Sequence, residues 1–424
     1  MKNKPSALSP QPSTSPQPST KAQYEKPAEL YDGLRLHQNE NTLGCSPRVI
    51  DALARLRPDE IGFYPPYAAV TETCARYLGV SSDRVVLVNG LDEGIMAVAI
   101  AYLRPSAGRP LVPEAIVPEP AFEIFRFDTA VAGGRLVQVM PKPDFHFAEA
   151  EVLAAITPRT RVVFLTNPNN PTGVAVPFDA IRTIARHVPK EAVVFVDEAY
   201  AEFAGRSFIP ELPSFPNVIV GRTFSKAYGL AALRIGALVG APDALDPARY
   251  AVPVYSVNIA AVVALQAALE DVEYVHEYLR QVKASKALLY AACDRLGLTY
   301  WPSDANFVLV RIGDRVGEVI DGARARGVYL RNRSTEPVRS VASHGSVGQS
   351  TAGRLSGSTC ASGSSGSSCF IVGPLSRSLR RPSSIGDDRA MPAASRRPPP
   401  CRRPCAVGEH RARLRACPAR RSRS

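Results

Sequence analysis

One lysine is a candidate for covalent chemistry because of the residues around it. Lys226 follows Ser225, and the apolar run at residues 218–220 predicts that a buried strand ends just before them. A lysine on a loop beside a buried strand is desolvated, which lowers its pKa from about 10.4 toward neutrality. Its amine is then a nucleophile that can form a Schiff base with an aldehyde.

Polar side chains near this lysine indicate what it holds. Thr223 and Ser225 supply hydroxyl donors and Arg234 a planar guanidinium, a set that suits a phosphate monoester better than a neutral ligand. A nucleophilic lysine beside side chains that suit a phosphate indicates a binding site for pyridoxal phosphate. Taken alone, however, the stretch is also compatible with an ordinary solvated loop and a surface arginine.

The positive charge of the chain is concentrated at one end. The 424 residues carry a net charge of +12, while residues 338–424, with 16 arginines, no lysine and 3 acidic residues, carry +13. Residues 1–337 are therefore close to neutral, so nothing in them favours a polyanionic partner. In the tail, aromatic residues for base stacking are nearly lacking, so we do not expect nucleic-acid binding.

The cysteines and apolar runs indicate the compartment. Cys45, Cys74 and Cys293 are widely spaced, and the other five cysteines lie in the tail, which gives no disulfide framework and favours a reducing environment. We find no apolar run suited to a membrane span and no signal-peptide pattern, and we expect a cytoplasmic protein.

The fold class follows from apolar runs that alternate with helical patterns. Continuous rather than alternating apolar strands are typical of an α/β fold in which helices cover both faces of a mostly parallel sheet. The runs that predict strands are residues 84–88, 115–117, 136–139, 162–165, 193–196 and 218–220. Polar motifs follow several of these runs, at the carboxyl ends of strands, where such sheets bind ligands.

Composition changes predict the domains. The segment 1–29 contains the tandem hexapeptide Ser-Pro-Gln-Pro-Ser-Thr and is expected to be disordered. Residues 30–60 are expected to begin a small domain, 61–256 to form the large domain, and 257–337 to form a long linker helix and an incomplete α+β domain. The Ser/Gly/Arg/Pro-rich tail, 338–424, is expected to be disordered.

Three local predictions concern the N-terminal half and the linker. Ser46 before Pro47 predicts the N-cap of a helix, and Gly297 predicts the end of the linker helix. The prolines within residues 61–67 predict a non-helical, exposed loop that displays Tyr64 and Tyr67.

The motifs together resemble a known family. Asn-Pro-Thr-Gly at 170–173, Asp-Glu-Ala-Tyr at 197–200 and Ser-Lys at 225–226 are each common alone but specific in this order and spacing. Over about residues 34–337 the chain resembles the fold-type-I, class I/II aminotransferases that depend on pyridoxal phosphate, and within them it is most similar to the histidinol-phosphate aminotransferases. The resemblance implies a three-layer large domain that binds the cofactor.

The resemblance assigns roles around the cofactor ring. It implies that Asp197 keeps the pyridine nitrogen protonated, so that the ring accepts electrons from the substrate. It implies that Asn170 and Tyr200 hydrogen-bond the phenolic oxygen and that Phe122 stacks on the ring. Without the family, Asp197 would be read as a helix N-cap, the segment at Asn170 as a turn and Phe122 as core.

The resemblance also implies how the phosphate is held, and a homodimer. Amides at a helix N-terminus suit a phosphate, and Tyr64 would reach it from the neighbouring subunit. The residues implied to hold the phosphate within one chain are Leu91, Asp92, Glu93, Thr223, Ser225 and Arg234.

For the reaction, the resemblance implies transamination between L-histidinol phosphate and 2-oxoglutarate in histidine biosynthesis. Lys226 would hold the cofactor and then move a proton at the substrate α-carbon. Asn39 and Arg331 match substrate-binding positions. A second arginine is expected near residues 341–345, but that stretch reads Val-Ala-Ser-His-Gly.

The similarity to the family vanishes after Pro337, as it would in a GC-rich gene read in another frame. Cys401, Cys405, His410 and Cys417 lie there at spacings that fit no standard zinc finger, so we expect no metal site. Alternative functions are decarboxylation of a phosphorylated amino acid on the same fold, and an inactive cofactor-binding product with a basic nucleic-acid-binding tail.

Overall fold

The computed structural model describes residues 33–105, 111–142 and 144–334, and the backbone of 369–372. The strands are β1 Leu34–Arg35, β2 Val85–Val88, β3 Glu114–Pro118, β4 Arg135–Val139, β5 Thr160–Thr166, β6 Val193–Asp197, β7 Val218–Thr223, β8 Gly236–Gly240, β9 Thr299–Trp301, β10 Val308–Arg311, β11 Val328–Tyr329, β12 Arg331–Asn332 and β13 Cys369–Val372.

Helices lie between most of these strands. They are α1 Pro47–Ala54, α2 Pro58–Gly62, α3 Ala68–Leu78, α4 Leu91–Leu103, α5 Ile124–Val131, α6 Glu149–Ala155, α7 Phe178–His187, α8 Ala201–Ala204, α9 Pro242–Arg249, α10 Ile259–Leu269, α11 Val272–Arg295 and α12 Val316–Arg324. Within the described ranges, no helix is both long enough and apolar enough to cross a bilayer.

A seven-stranded sheet forms the centre of the described part of the chain. Its order is β2-β8-β7-β6-β5-β3-β4. β8 runs antiparallel to both of its neighbours, β2 and β7, and all other neighbouring pairs are parallel. All six runs predicted to be strands lie in this sheet, which confirms a mostly parallel α/β fold.

Both faces of this sheet are covered, which explains the continuous apolar runs. In β3, Ala115 and Val117 pack in a core that includes residues of α4, α5 and α9. The residue between them, Ile116, points to the other face and packs in a core that includes residues of α6 and α7. Because successive strand residues face opposite sides, every position must be apolar, and the result is three layers.

A smaller sheet contains an unpredicted strand. Its order is β12-β13-β10-β9, and β13 runs antiparallel to both β10 and β12. β13 lies in the segment 338–424 that the sequence predicts to be disordered, so the structure differs from the prediction at these four residues. Cys-Phe-Ile-Val is an apolar run rich in strand-forming residues, and its backbone pairs with strands on both sides.

The predicted long linker helix is two helices. α10 ends at Leu269 and α11 begins at Val272, since Asp271 between them has a non-helical backbone with φ −107° and ψ 63°. The carboxylate of Asp271 accepts a hydrogen bond from the hydroxyl of Ser46. The predicted stop is confirmed, because Gly297, with φ +63°, follows the end of α11.

The loop predicted at residues 61–67 is partly wrong. Its first two residues belong to α2, because Pro65 and Pro66 restrict the backbone only beyond Gly62. The Tyr64 side chain is exposed as predicted, but Tyr67 is half-buried. The hydroxyl of Tyr67 donates a hydrogen bond of 2.7 Å to the carbonyl of Val257.

The domain boundaries at residues 61 and 257 stay predictions, because the described residues all fall within one compact unit. The tandem hexapeptide, residues 341–345 and the cysteine-rich end of the tail lie outside the described residues.

The predicted N-cap is confirmed and gives a stability test. Ser46 Oγ accepts from the Arg48 amide at 3.1 Å and donates to Asp271. We expect Ser46→Ala to lower the free energy of unfolding by about 1–2 kcal/mol, as measured by urea denaturation, because both bonds are lost. Ser81→Ala is the control, since Ser81 is exposed and its side chain makes no cap bond. Equal effects of the two substitutions would contradict this role.

Candidate active site

The carboxyl ends of three parallel strands open into a cavity of about 450 Å³. Thr166, Asp197 and Thr223, the last residues of β5, β6 and β7, all line it. The cavity brings together twelve of the residues predicted from the sequence: Asn39, Leu91, Asp92, Phe122, Asn170, Asp197, Tyr200, Thr223, Ser225, Lys226, Arg234 and Arg331.

Lys226 lies on the loop that follows β7. Its Nζ donates a hydrogen bond of 2.9 Å to the carbonyl of Gln38 and lies 6.0 Å from the centre of the Tyr200 ring. Burial lowers the pKa of Lys226, and the carboxylates of Glu40 and Asp92 oppose this shift. The predicted direction of the pKa shift is therefore confirmed, and more of the amine is neutral and nucleophilic than in an exposed lysine.

Asp197 is deeply buried and lines the cavity. Burial raises its pKa to about 7, and one oxygen, Oδ1, accepts from the amide of Ala199 at 2.9 Å. It is not the N-cap of α8, because that position belongs to Tyr200. A buried carboxylate is stabilised by a cationic group beside it, so this position suits the protonated nitrogen of a heterocycle.

Asn170 and Tyr200 also line the cavity. The Tyr200 hydroxyl accepts from Asn39 Nδ2 at 3.1 Å, and burial raises the pKa of this tyrosine. Asn170 Oδ1 accepts from Arg333 Nη2 at 3.2 Å, which leaves the amide nitrogen of Asn170 to act as a donor. Phe122 lines the same cavity, with its ring edge-on to Phe125 at 6.1 Å.

The N-terminus of α4 has the features of an anion cradle. Gly90, with φ +78°, precedes the helix, and a Cβ atom there would lie 2.4 Å from Arg234 Nη2. Ser225 Oγ is buried and has no hydrogen-bond partner among the described residues. The Arg234 guanidinium also donates to Asp92 Oδ2 at 2.9 Å. A helix N-terminus without a side-chain cap, an unused hydroxyl and a guanidinium that glycine allows to come close together fit a phosphate.

Two predicted residues do not line the cavity. The carboxylate of Glu93 accepts from the amide of Asn89 at 2.6 Å, outside the cavity lining. Tyr64 is 76% exposed and stacks on Tyr255 at 4.2 Å. Their predicted roles, a backbone contact and a contribution to a neighbouring subunit, stay predictions.

Two functional candidates were missed by the sequence reasoning. Arg333 lines the cavity with a 7% exposed side chain, and Glu123 lines it beside Arg331 and Arg333. The signal for Arg333 is its spacing of two residues from Arg331, since residues two apart in an extended segment share a face. No local sequence pattern marks Glu123 as a residue of the site.

The matches to known proteins agree with this geometry. A family model described as aminotransferase class I and II matches residues 31–355. The chain belongs to this family. It is 39% identical to the histidinol-phosphate aminotransferase of Symbiobacterium thermophilum over 306 residues, which covers 71% of this chain and 82% of that one. For the enzyme of Moorella thermoacetica the identity is 36% over 307 residues, with coverages of 71% and 78%.

Solved structures of aminotransferases have the same fold. The histidinol-phosphate aminotransferase of Sinorhizobium meliloti, in complex with pyridoxal-5'-phosphate, superposes with a TM-score of 0.64 at 28% identity, covering 70% of this chain and 82% of that one. The aspartate aminotransferase of Thermus thermophilus with maleate gives a TM-score of 0.60 at 23% identity, covering 70% and 83%. The three-layer aminotransferase fold predicted from the motifs is therefore confirmed.

The raised pKa of Asp197 predicts a pH-dependent effect on stability in cofactor-free protein. The folded-state pKa, about 7, exceeds that of an unfolded Asp, so the native state loses stability as pH rises through this range. Asp197→Asn removes this loss. We expect the gain in unfolding free energy relative to the parent chain to be larger at pH 8 than at pH 5 by on the order of 2 kcal/mol, since one pKa unit is about 1.4 kcal/mol.

Urea denaturation at the two pH values measures this difference. Asp243→Asn is the control, because Asp243 lies in the first turn of α9, away from the cavity lining. A gain from Asp197→Asn that does not change with pH would contradict the assignment.

Proposed function

We propose that this aminotransferase uses pyridoxal phosphate to exchange an amino group between L-histidinol phosphate and 2-oxoglutarate. The observation that carries the proposal is that one cavity holds the Lys226 amine, the buried Asp197 carboxylate and the anion cradle at Gly90. Relatives named histidinol-phosphate aminotransferase, 33–39% identical over about 70% of the chain, support this choice of substrate.

The described residues fit the cofactor at each of its polar groups. Lys226 would hold it covalently, Asp197 would pair with the ring nitrogen, and Asn170 and Tyr200 would bind the phenolic oxygen. Thr223, Ser225, Arg234 and the backbone at Leu91, Asp92 and Glu93 would hold the phosphate, and Phe122 would cover the ring. When bound, pyridoxal phosphate supplies an electron sink for the bond broken at the substrate α-carbon.

Lys226 also supplies the proton transfer. Its lowered pKa leaves part of the amine neutral, so Nζ can take a proton from the substrate α-carbon as a base and, once protonated, donate a proton as an acid. The hydrogen bond from Nζ to the Gln38 carbonyl holds the amine inside the cavity between these events. Burial of the surrounding residues limits competing exchange with water.

The anionic ends of both substrates require cations in the cavity. Arg331 and Arg333 both reach it, and guanidinium groups match the geometry of phosphate and carboxylate oxygens. Arg331 is one of the two predicted substrate residues. The other, Asn39, donates from its side-chain amide to the Tyr200 hydroxyl.

The first test of this function is the pair Lys226→Ala and Lys226→Arg. The parent chain mixed with pyridoxal phosphate is expected to gain a visible absorption band that histidinol phosphate shifts, and to convert 2-oxoglutarate to glutamate. Both variants are expected to lose turnover by at least about 10³-fold, because neither supplies a nucleophilic amine or a base at this position.

Lys190→Ala is the control, because it removes a lysine from the exposed turn after α7. It is expected to leave turnover unchanged. Histidinol phosphate has no carboxyl group to lose, so the decarboxylase alternative is tested with O-phosphoserine, a phosphorylated amino acid. Release of carbon dioxide from it without glutamate formation would replace transamination by decarboxylation. Binding of cofactor without turnover in the parent chain would contradict the proposed activity.

We also propose a cytoplasmic homodimer. Cys45, Cys74 and Cys293 are free thiols, which is compatible with a reducing compartment. The stacked Tyr64 and Tyr255, with the exposed apolar residues near them in the chain, form the surface that we propose as the interface, since exposed apolar surfaces mark protein interfaces. Its exposed members are Ile61, Phe63, Tyr64, Tyr250, Val254 and Tyr255.

If the chain forms this dimer, a charged residue introduced at the proposed interface is expected to halve the mass of the particle in solution. Light scattering after gel filtration is expected to give twice the chain mass of 45.6 kDa for the parent protein and a monomer for Phe63→Glu, since an unpaired charge at an apolar interface is costly. Val131→Glu is the control, because Val131 is 70% exposed on α5 and lies outside this surface. A monomeric parent chain would contradict the dimer, and with it the role of Tyr64.

A further inference from the structure

Glu123 places a negative charge where the proposed substrates carry theirs. Its Oε1 lies 3.4 Å from Arg333 Nη1 and 3.7 Å from Arg331 Nη2. All three side chains line the cavity that contains Lys226. The two guanidinium groups proposed to hold the substrate anion are therefore already in contact with a carboxylate of the chain itself.

The carboxylate of Glu123 has no evident structural task in its own helix. Glu123 is the N-cap residue of α5, but its side chain makes no cap hydrogen bond. Glu119, four residues earlier, is different, because its side chain is fully buried and binds Arg126 Nε at 2.9 Å and Gln138 Nε2 at 2.8 Å. The buried Glu119 side chain thus stabilises the fold. The Glu123 side chain, in contrast, is 27% exposed, and its ion pairs are long, 3.4 and 3.7 Å.

A substrate anion and the Glu123 carboxylate need the same donors. A phosphate monoester or a carboxylate that approaches Arg331 and Arg333 either displaces Glu123 or lies beside it and is repelled by it. Long, partly exposed ion pairs are weak, so displacement is feasible. The competition is strongest for a phosphate, because it carries nearly two negative charges near pH 7.

We propose that Glu123 is a specificity-determining residue that competes with the substrate anion for Arg331 and Arg333. Its charge weakens the binding of phosphate and carboxylate groups in the resting cavity, and so favours ligands that gain enough contacts elsewhere in the cavity to displace it. The inference rests on the proposed function in one respect, that Arg331 and Arg333 hold the anionic end of the substrate.

The test is Glu123→Gln, which keeps the size of the side chain and removes its charge. In calorimetric titrations of cofactor-loaded protein, inorganic phosphate is expected to bind several-fold to about tenfold more tightly to the variant than to the parent chain. The KM for histidinol phosphate is expected to fall by a similar factor, with little change in kcat, because Glu123 does not touch the reacting atoms. Histidinol, which lacks the phosphate, is expected to bind both proteins equally.

Glu151→Gln is the matched control, because Glu151 pairs with Lys142 at a similar distance, 3.6 Å, outside the cavity lining. It is expected to change none of these quantities. Unchanged phosphate affinity in Glu123→Gln would overturn the inference. Weaker phosphate binding would also overturn it, since Glu123 would then orient the two arginines.

The two proposals fail separately. If Glu123→Gln binds phosphate more tightly but neither protein converts histidinol phosphate, the competition stands and the proposed substrate is wrong. If both proteins convert histidinol phosphate and bind phosphate equally, the proposed function stands and the role of Glu123 is wrong.

Discussion

The site depends on a carboxylate that the fold holds away from water. Asp197 ends the central strand of the sheet, and burial makes its charged form costly, as its raised pKa shows. Such a group is stabilised by a cation placed beside it. A cationic ring in the cavity would neutralise this carboxylate, and Lys226, desolvated in the same cavity, is the group proposed to hold that ring covalently.

The ends of the neighbouring strands are secured by a second set of charges. Glu198 follows Asp197, and Arg222 precedes Thr223. Arg222 Nη1 lies 3.3 Å from Glu198 Oε2, both side chains are buried, and Glu202 completes the network. Breaking a buried ion pair of this kind costs about 3–5 kcal/mol. Asp197 and Thr223, which line the cavity, are thus coupled through the ion pair between their neighbours Glu198 and Arg222.

Arginine side chains line the cavity at two places of different character. At the start of α4, Gly90 allows a close approach of Arg234, whose Nη2 pairs with Asp92 Oδ2 at 2.9 Å. The pair Arg331 and Arg333 is instead shared with Glu123 at longer distances. The backbone amides at the N-terminus of α4 suit a cofactor phosphate. A site with an exchangeable internal anion suits substrates that must enter and leave in every half-reaction.

The sequence by itself determined the layers, the strands and most of the site. Burial on both faces forces continuous apolar strands, and a parallel sheet collects the residues after those strands at one edge, so Asp197, Asn170 and Lys226 could be placed together in advance. Tertiary structure alone decided the features that depend on distant contacts. The break at Asp271, the position of Glu123 against two arginines and the pairing of β13 each join segments far apart in the chain. No local pattern records such contacts, because propensity and periodicity report only on neighbouring residues.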